Sequence, residues 1–271
     1  MLAPATVSAQ PAPAPAAPIG ADALWAWWWE SPSALVRNVE ADGFSRVYLY
    51  AEGGFDPKVR RTIAALGAQG VEVEALGGEA RWATTQRGDM LDFVRSAVAY
   101  QRSAPPGAAL AGVHLDVEPY DLPSWQRGQA STAASLVGAL AAARRTARGL
   151  PLTADIPFWF DGIRMGDAGA STLAQQIIRR TDSTTIMAYR DSAPEVIAAA
   201  RREVSMASRL GKRTAIGLET GHVAPESVTF WEEGRAALVA AVAAIRARLR
   251  SDPGFGGIAI HHYESLRSLR P

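Results

Sequence analysis

The 271-residue chain has no cysteine, which excludes disulfide staples, thiol nucleophiles and Cys-ligated zinc. Lysine is almost missing as well. Lys58 and Lys212 stand alone, and arginine carries the rest of the positive charge. The net charge is only +1, so no large basic field is expected, which argues against nucleic acid as the main partner. No apolar run approaches the ~20 residues of a membrane span, so none is expected. Phosphate-cradling loops are lacking too: Gly53-Gly54 and Gly77-Gly78 stand outside any GxGxxG or GxxxxGK context. Gly-x-Ser-x-Gly and His-Glu-x-x-His do not occur, and no internal repeat is evident.

What is present is a regular alternation. The apolar share, 48%, is ordinary for a globular chain, and the length suits one β/α barrel of about 250 residues. Residues 1–20 are Ala, Pro and small polar residues, which cannot bury enough apolar surface to order themselves. Val7-Ser8-Ala9 before Gln10 resembles an export-signal cleavage site, although the charged and apolar regions that would precede it are missing. The segment reads as a Pro/Ala-rich tail or export-signal remnant, and the protein as secreted or periplasmic.

Beyond it, eight short apolar runs read as strands: Leu24–Trp29, Arg46–Ala51, Val71–Leu76, Val113–Glu118, Leu152–Pro157, Thr184–Tyr189, Thr214–Glu219 and Gly257–His262. Helical stretches separate them. Ser31-Pro32 and Asp56-Pro57 each pair a helix cap with proline at the first turn. Ala133–Arg148, Ser171–Arg180, Pro194–Leu210 and Glu232–Arg250 continue the pattern. Eight βα units over residues 21–271 predict a single closed (β/α)8 TIM barrel, with a doubly wound open sheet as the alternative.

In such a barrel the active end is the C-terminal end of the strands. Those ends carry chemistry: Trp27-Trp28-Trp29-Glu30, Glu52, Arg81-Trp82, Asp116-Val117-Glu118-Pro119-Tyr120, Asp155 with Phe158-Trp159, Tyr189-Arg190-Asp191, Glu219-Thr220, and His261-His262-Tyr263-Glu264. Seven of the eight tryptophans fall at or near these ends, and Trp231 is assigned to a helix. Aromatic platforms at a barrel mouth suit the flat C–H faces of sugar rings.

Residues two apart on a strand share a face, so His114, Asp116 and Glu118 line up. Neighbouring carboxylates repel, which can keep one protonated near neutrality as a general acid. Glu118 is therefore the candidate acid and Asp116 its partner. A structural ion pair with an arginine is the competing role for these acids.

Ala111-Gly112-Val113-His114-Leu115-Asp116-Val117-Glu118 resembles the strand-four signature of glycoside hydrolase family 18, the chitinase-like barrels, which reads Asp-Gly-x-Asp-x-Asp-x-Glu. Met187-Ala188-Tyr189 resembles that family's strand-six Met-x-Tyr, and Gly256-Gly257-Ile258 the approach to its strand eight. The first two acids of the signature are Ala111 and His114 here, and the strand-eight tryptophan gives way to His261, His262 and Tyr263. The resemblance implies Glu118 as acid/base. It implies that Asp116 orients a substrate N-acetyl group acting as nucleophile, and that Tyr189 supports that group.

Taken together, these residues predict a monomeric glycosidase with no metal and no cofactor. Its catalytic set is Glu118, Asp116, Tyr189, Glu219 and Asp155. The expected sugar contacts are Trp27, Trp29, Trp82, Tyr120, Trp159, Arg190, His261, His262 and Tyr263. Glu219 is either a second catalytic carboxylate opposite Glu118 or a rim residue. Three other readings remain: a non-catalytic carbohydrate-binding barrel, a metal-dependent hydrolase using His114, Asp116, Asp155 and His261 or His262, and a scaffold.

Overall fold

Eight parallel strands run around a common axis: β1 (Ala23–Ala26), β2 (Arg46–Tyr50), β3 (Glu72–Gly77), β4 (Gly112–Leu115), β5 (Leu152–Pro157), β6 (Ser183–Met187), β7 (Arg213–Glu219) and β8 (Phe255–His261). Each pairs with the next along the chain, and β8 returns to β1, so the sheet closes. This computed structural model describes residues 17–166 and 170–271. Most of the segment 1–20, with Val7-Ser8-Ala9-Gln10, lies outside the described residues. The architecture is the predicted (β/α)8 barrel; the open sheet does not form.

The outer layer comprises α1 (Pro32–Asp42), α2 (Pro57–Gly67), α3 (Arg87–Ser103), α4 (Pro123–Arg127), α5 (Gln129–Thr146), α6 (Leu173–Arg180), α7 (Ala193–Arg209), α8 (Gly234–Leu249) and α9 (Tyr263–Leu266). The two Pro-led starts are capped as the sequence suggests. Ser31 Oγ accepts from Ala34 N–H at 3.2 Å, and Asp56 Oδ1 from Val59 N–H at 2.8 Å. α6 starts later than expected: Ser171–Thr172 pairs with Arg164–Met165 as a small antiparallel ribbon, and Thr172 then caps the helix.

Three strands stop two or more residues short of the prediction. β1 ends at Ala26, β4 at Leu115 and β6 at Met187, so Trp27–Trp29, Asp116–Glu118 and Tyr189 belong to the loops above the barrel. One ladder bond carries on past β4, from Asp116 N–H to the Gly77 carbonyl at 3.0 Å.

The seam between β8 and β1 is short, with only Ala23↔Ala259 and Leu24↔Ile260 in register. Asp22 reinforces it. Its N–H donates to Ile258 O, its carbonyl accepts from Ser45 and Arg46 N–H, and its Oδ2 accepts from Ile258 N–H and Arg246. A Cβ on Gly257 would lie 2.6 Å from that carboxylate, and Gly257 takes φ +117°, so glycine is required there.

Burial separates two apolar regions. The larger lies between strands and helices and includes Leu24, Val47, Val113, Ile156, Ile186 and Ile260. The smaller lies inside the barrel: Ala23, Trp25, Tyr48, Leu76 and Ala259, with Trp27 packed on its upper edge. Trp25 meets Tyr48 edge-on at 5.0 Å. The interior filling thus rises toward the C-terminal strand ends and finishes on an aromatic face.

Candidate active site

A cleft of about 540 Å³ opens at the C-terminal end of the barrel, lined by Trp27, Gly78, Glu79, Arg81, Asp116 and Glu118, with Asp121 and Leu122 at its edge. Backbone packing sets how closely β3 and β4 approach beneath it. A Cβ on Gly78 would come 2.1 Å from the Asp116 carbonyl oxygen, so only glycine fits. Gly78 N–H donates to Glu52 Oε2 at 3.2 Å, which ties the end of β2 into the same wall.

Glu118 is half-buried and has no cationic partner among the described residues. Tyr120 O–H donates to its Oε1. Burial raises the Glu118 carboxyl above the ordinary range; the Tyr120 hydrogen bond opposes this, and the charges of Asp121 and Asp155 add to it. Asp116 is raised well above the usual carboxylate range, first by burial and then by Asp155 and Glu118, with His114 opposing. Its Oδ1 is fully buried and meets no hydrogen-bond donor among the described residues. Two acids therefore sit together with a tendency to hold protons, beside space for a ligand.

Beside the cleft a hydrogen-bonded chain runs from Glu219 through His261 to the lining residue Trp27. Glu219 Oε1 accepts from Thr220 and Gly221 N–H at 2.8 and 2.6 Å, and its Oε2 from His261 Nδ1 at 2.8 Å. Burial alone would raise this carboxyl, but the His261 bond and the two amides outweigh it and hold the group below its ordinary range. Trp27 Nε1–H donates to His261 Nε2 at 3.2 Å. A carboxylate only accepts and an indole N–H only donates, so His261 carries its proton on Nδ1. Glu219 thereby orients His261, and His261 orients Trp27. Tyr189 flanks His261, ring centroids 5.9 Å apart.

An aromatic pair, Tyr120 with Trp159, stands in the loops after β4 and β5, outside the residues that line the cleft. Their rings meet edge-on at 5.2 Å, and Trp159 is 36% exposed. Trp125 and Phe160 support them from below.

Several expected contacts lie elsewhere. Trp29 is buried, donating to Thr62 Oγ1 at 3.0 Å beneath Lys58. Trp82 is buried against Phe93 on α3. Tyr263 is buried, with its hydroxyl donating to Glu30 Oε2 at 2.9 Å. Asp155 lies under the mouth with both oxygens taken, Oδ1 by His114 and Oδ2 by Trp25 Nε1, so it does not touch a ligand in the cleft. Arg190 stacks over Phe158 and donates to the Tyr189 carbonyl. His262 Nδ1 pairs with Glu264. Trp231 precedes α8 in a turn instead of lying in a helix, and packs on His222. Glu79 and Asp121 also line the cleft, and of the two only Asp121, three residues after Glu118 in the loop that β4 feeds, carries a positional signal in the sequence.

The donor set does not suit the metal alternative. His114 has both ring nitrogens on carboxylates, and His261 spends its own on Glu219 and Trp27. Among the described residues no cluster of three His, Cys, Asp or Glu side chains forms a metal cage.

No protein-family model matches the sequence, and no curated protein matches it. Solved structures do resemble the fold. A chitinase from Chromobacterium violaceum is 12% identical with a TM-score of 0.57, covering 92% of this chain and 97% of that one. A GH18 chitinase from Pseudoalteromonas aurantia is 12% identical with a TM-score of 0.56, covering 90% and 94%. A glycoside hydrolase family 18 N-acetylglucosaminidase from Paenibacillus barengoltzii is 13% identical with a TM-score of 0.52, covering 92% and 96%. Over nearly its whole described length, this chain shares the barrel fold of chitinases and their structural relatives.

Proposed function

We propose that the protein is a glycoside hydrolase in which Glu118 is the general acid/base. The observation that carries the reading is the half-buried Glu118 carboxyl, without an ion-pair partner among the described residues, raised in pKa and lining an open cleft beside Asp116. In the first step Glu118 gives its proton to the glycosidic oxygen, which leaves while the substrate's own neighbouring acyl oxygen bonds to the anomeric carbon. In the second it takes one from the attacking water. Asp116 steers the group next to the reacting carbon through the part of its carboxyl that lines the cleft. In the chitinase-like barrels that group is an N-acetyl group, and the fold likeness supports the same class of substrate here.

A paired-carboxylate mechanism with Glu219 has less support, because Glu219 is buried and three protein donors already hold it. Its role in this reading is to position His261 and, through it, the Trp27 face. Trp27, Tyr120 and Trp159 supply the stacking surfaces.

The test is Glu118→Gln assayed on N-acetylglucosamine oligomers and on gluco- and manno-oligosaccharides of equal length. Release of reducing ends is expected to fall by about 10²–10⁴-fold, the usual contribution of a general acid/base, with an unchanged circular dichroism spectrum and Tm. Wild-type rates in the variant refute the assignment. Sugar retention without any cleavage by the native protein points instead to a binding barrel.

A further inference from the structure

One layer below the cleft lies a histidine that the mechanism above does not use. His114 is fully buried on β4. Its Nδ1 is 3.0 Å from Glu74 Oε2 on β3, and its Nε2 is 2.7 Å from Asp155 Oδ1 on β5. Both partners are carboxylates, which accept and do not donate, so both ring nitrogens carry hydrogen and the ring is an imidazolium. The surroundings hold it there. Tyr48 of β2 lies over the ring at 3.8 Å and Trp25 of β1 meets it edge-on at 5.9 Å. Arg46 of β2 approaches the other Glu74 oxygen at 3.6 Å. At the N-terminal end of the barrel a polar cavity of about 430 Å³ reaches Tyr48 and Glu74 but stops short of His114. The ring is fully buried and both of its nitrogens are taken by carboxylates. Arg46, Glu74, His114 and Asp155 form a column of alternating charge along the barrel axis.

The column ends beneath Asp116. The charged and titratable groups around that carboxyl are Asp155 on β5, Glu118, Tyr120 and Asp121 after β4, Tyr189 after β6, and His114 itself. Asp155 is turned downward, because His114 and the Trp25 indole N–H occupy both of its oxygens.

We propose that His114 is a positioning residue. As a permanent buried cation clamped by Glu74 and Asp155, it fixes Asp155 as a negative charge under the cleft and sets the charge state of Asp116. This rests on the reading of Asp116 and Glu118 as the working acids. The arrangement gives Asp116 two opposed neighbours that touch no ligand. Removing the cation leaves Asp155 uncompensated and makes Asp116 harder to ionise. Removing the Asp155 charge while keeping the cation makes Asp116 easier to ionise.

The experiment measures the same quantity in two ways. The first follows His114 by ¹⁵N NMR and the Asp116 carboxyl by ¹³C NMR from pH 4 to pH 9, in wild type, His114→Gln and Asp155→Asn. His114 is expected to show two protonated nitrogens throughout, and the Asp116 midpoint to rise in His114→Gln and fall in Asp155→Asn, each by about one pH unit. The second records kcat against pH on the best oligosaccharide; the acid limb is expected to move in the same opposite directions. A His114 ring that loses a proton near its ordinary pKa overturns the clamp. Unchanged Asp116 midpoints in both variants overturn the positioning role. If His114→Gln does not fold, Asp155→Asn and the wild-type His114 signal still decide. If no glycan is cleaved, the assigned activity fails while the NMR titrations still judge the clamp.

Discussion

At the scale of single residues, the Tyr120 hydroxyl acts against the burial of Glu118. Its hydrogen bond favours the ionised carboxylate, whereas burial and the charges of Asp121 and Asp155 favour the protonated acid. Tyr120→Phe removes the stabiliser of the charged form, so Glu118 keeps its proton to higher pH. Because a general acid works protonated, the alkaline limb of the kcat profile is expected to move upward in this variant, as a pH–rate series will show; an unmoved or lowered limb contradicts the assignment. Asp116 and Glu118 were legible in the sequence because they stand where β4 feeds the barrel mouth, although strand pairing stops at Leu115 and the shared-face argument does not reach them. Trp29, Trp82 and Tyr263 were not. Their positions in the chain put them near strand ends, but depth depends on what covers them, here Thr62, Phe93 and Glu30 from distant segments. His114 was visible as a departure from the family signature. Its meaning needed Glu74 and Asp155, which lie on two different strands.

At the scale of elements, helix starts were readable where a capping side chain precedes proline, as at Ser31 and Asp56, but not at α6, whose cap Thr172 also belongs to a short ribbon. α3 went unmarked despite its buried stripe of Met90, Phe93, Val94, Ala97 and Tyr100, because no side-chain cap hydrogen bond announces its start. β4 was read too long for a related reason: alternation continues in the letters past the point where strand pairing stops. One helix carries a burden that its sequence does not explain. On α7, Glu203 is fully buried and neither carboxylate oxygen has a hydrogen-bond partner among the described residues. Burial pushes its carboxyl up to about 8. The folded state then holds a proton that the unfolded chain releases near 4.5, so this residue costs stability progressively as pH rises from about 4.5 to about 8. Glu203→Gln is expected to remove that slope, and its advantage over wild type to grow to a few kcal/mol at pH 8. Urea unfolding at pH 5 and pH 8 measures it; parallel losses in both proteins would place the effect elsewhere.

At the scale of the whole molecule, the closed barrel was legible because eight apolar runs alternate with amphipathic stretches, and only a few topologies accommodate that order. Closure itself depends on few bonds. Two register pairs join β8 to β1, and Asp22 braces them from the backbone and the side chain together. Asp22→Ala strands the Ile258 N–H and releases Arg246. It is expected to cost about 1–3 kcal/mol and to lower the Tm in calorimetry by several degrees, with kcat on any cleaved glycan unchanged because Asp22 lies at the far end of the strands. Loss of kcat at full stability would mean that the seam communicates with the cleft. The interior filling was not legible: no periodicity announces that Trp25 and Tyr48 fill the hollow while charged groups run up its axis.

The contact between Gly78 and the Asp116 carbonyl has a consequence for how this scaffold can diversify. Any larger residue at position 78 must displace the backbone that carries Asp116, so the dimensions of the opening and the aim of that carboxyl vary together. A lineage or a designer seeking room for a bulkier glycan must find it along the flanks, at Trp27, Glu79 or Leu122, where side chains can be exchanged without moving the floor.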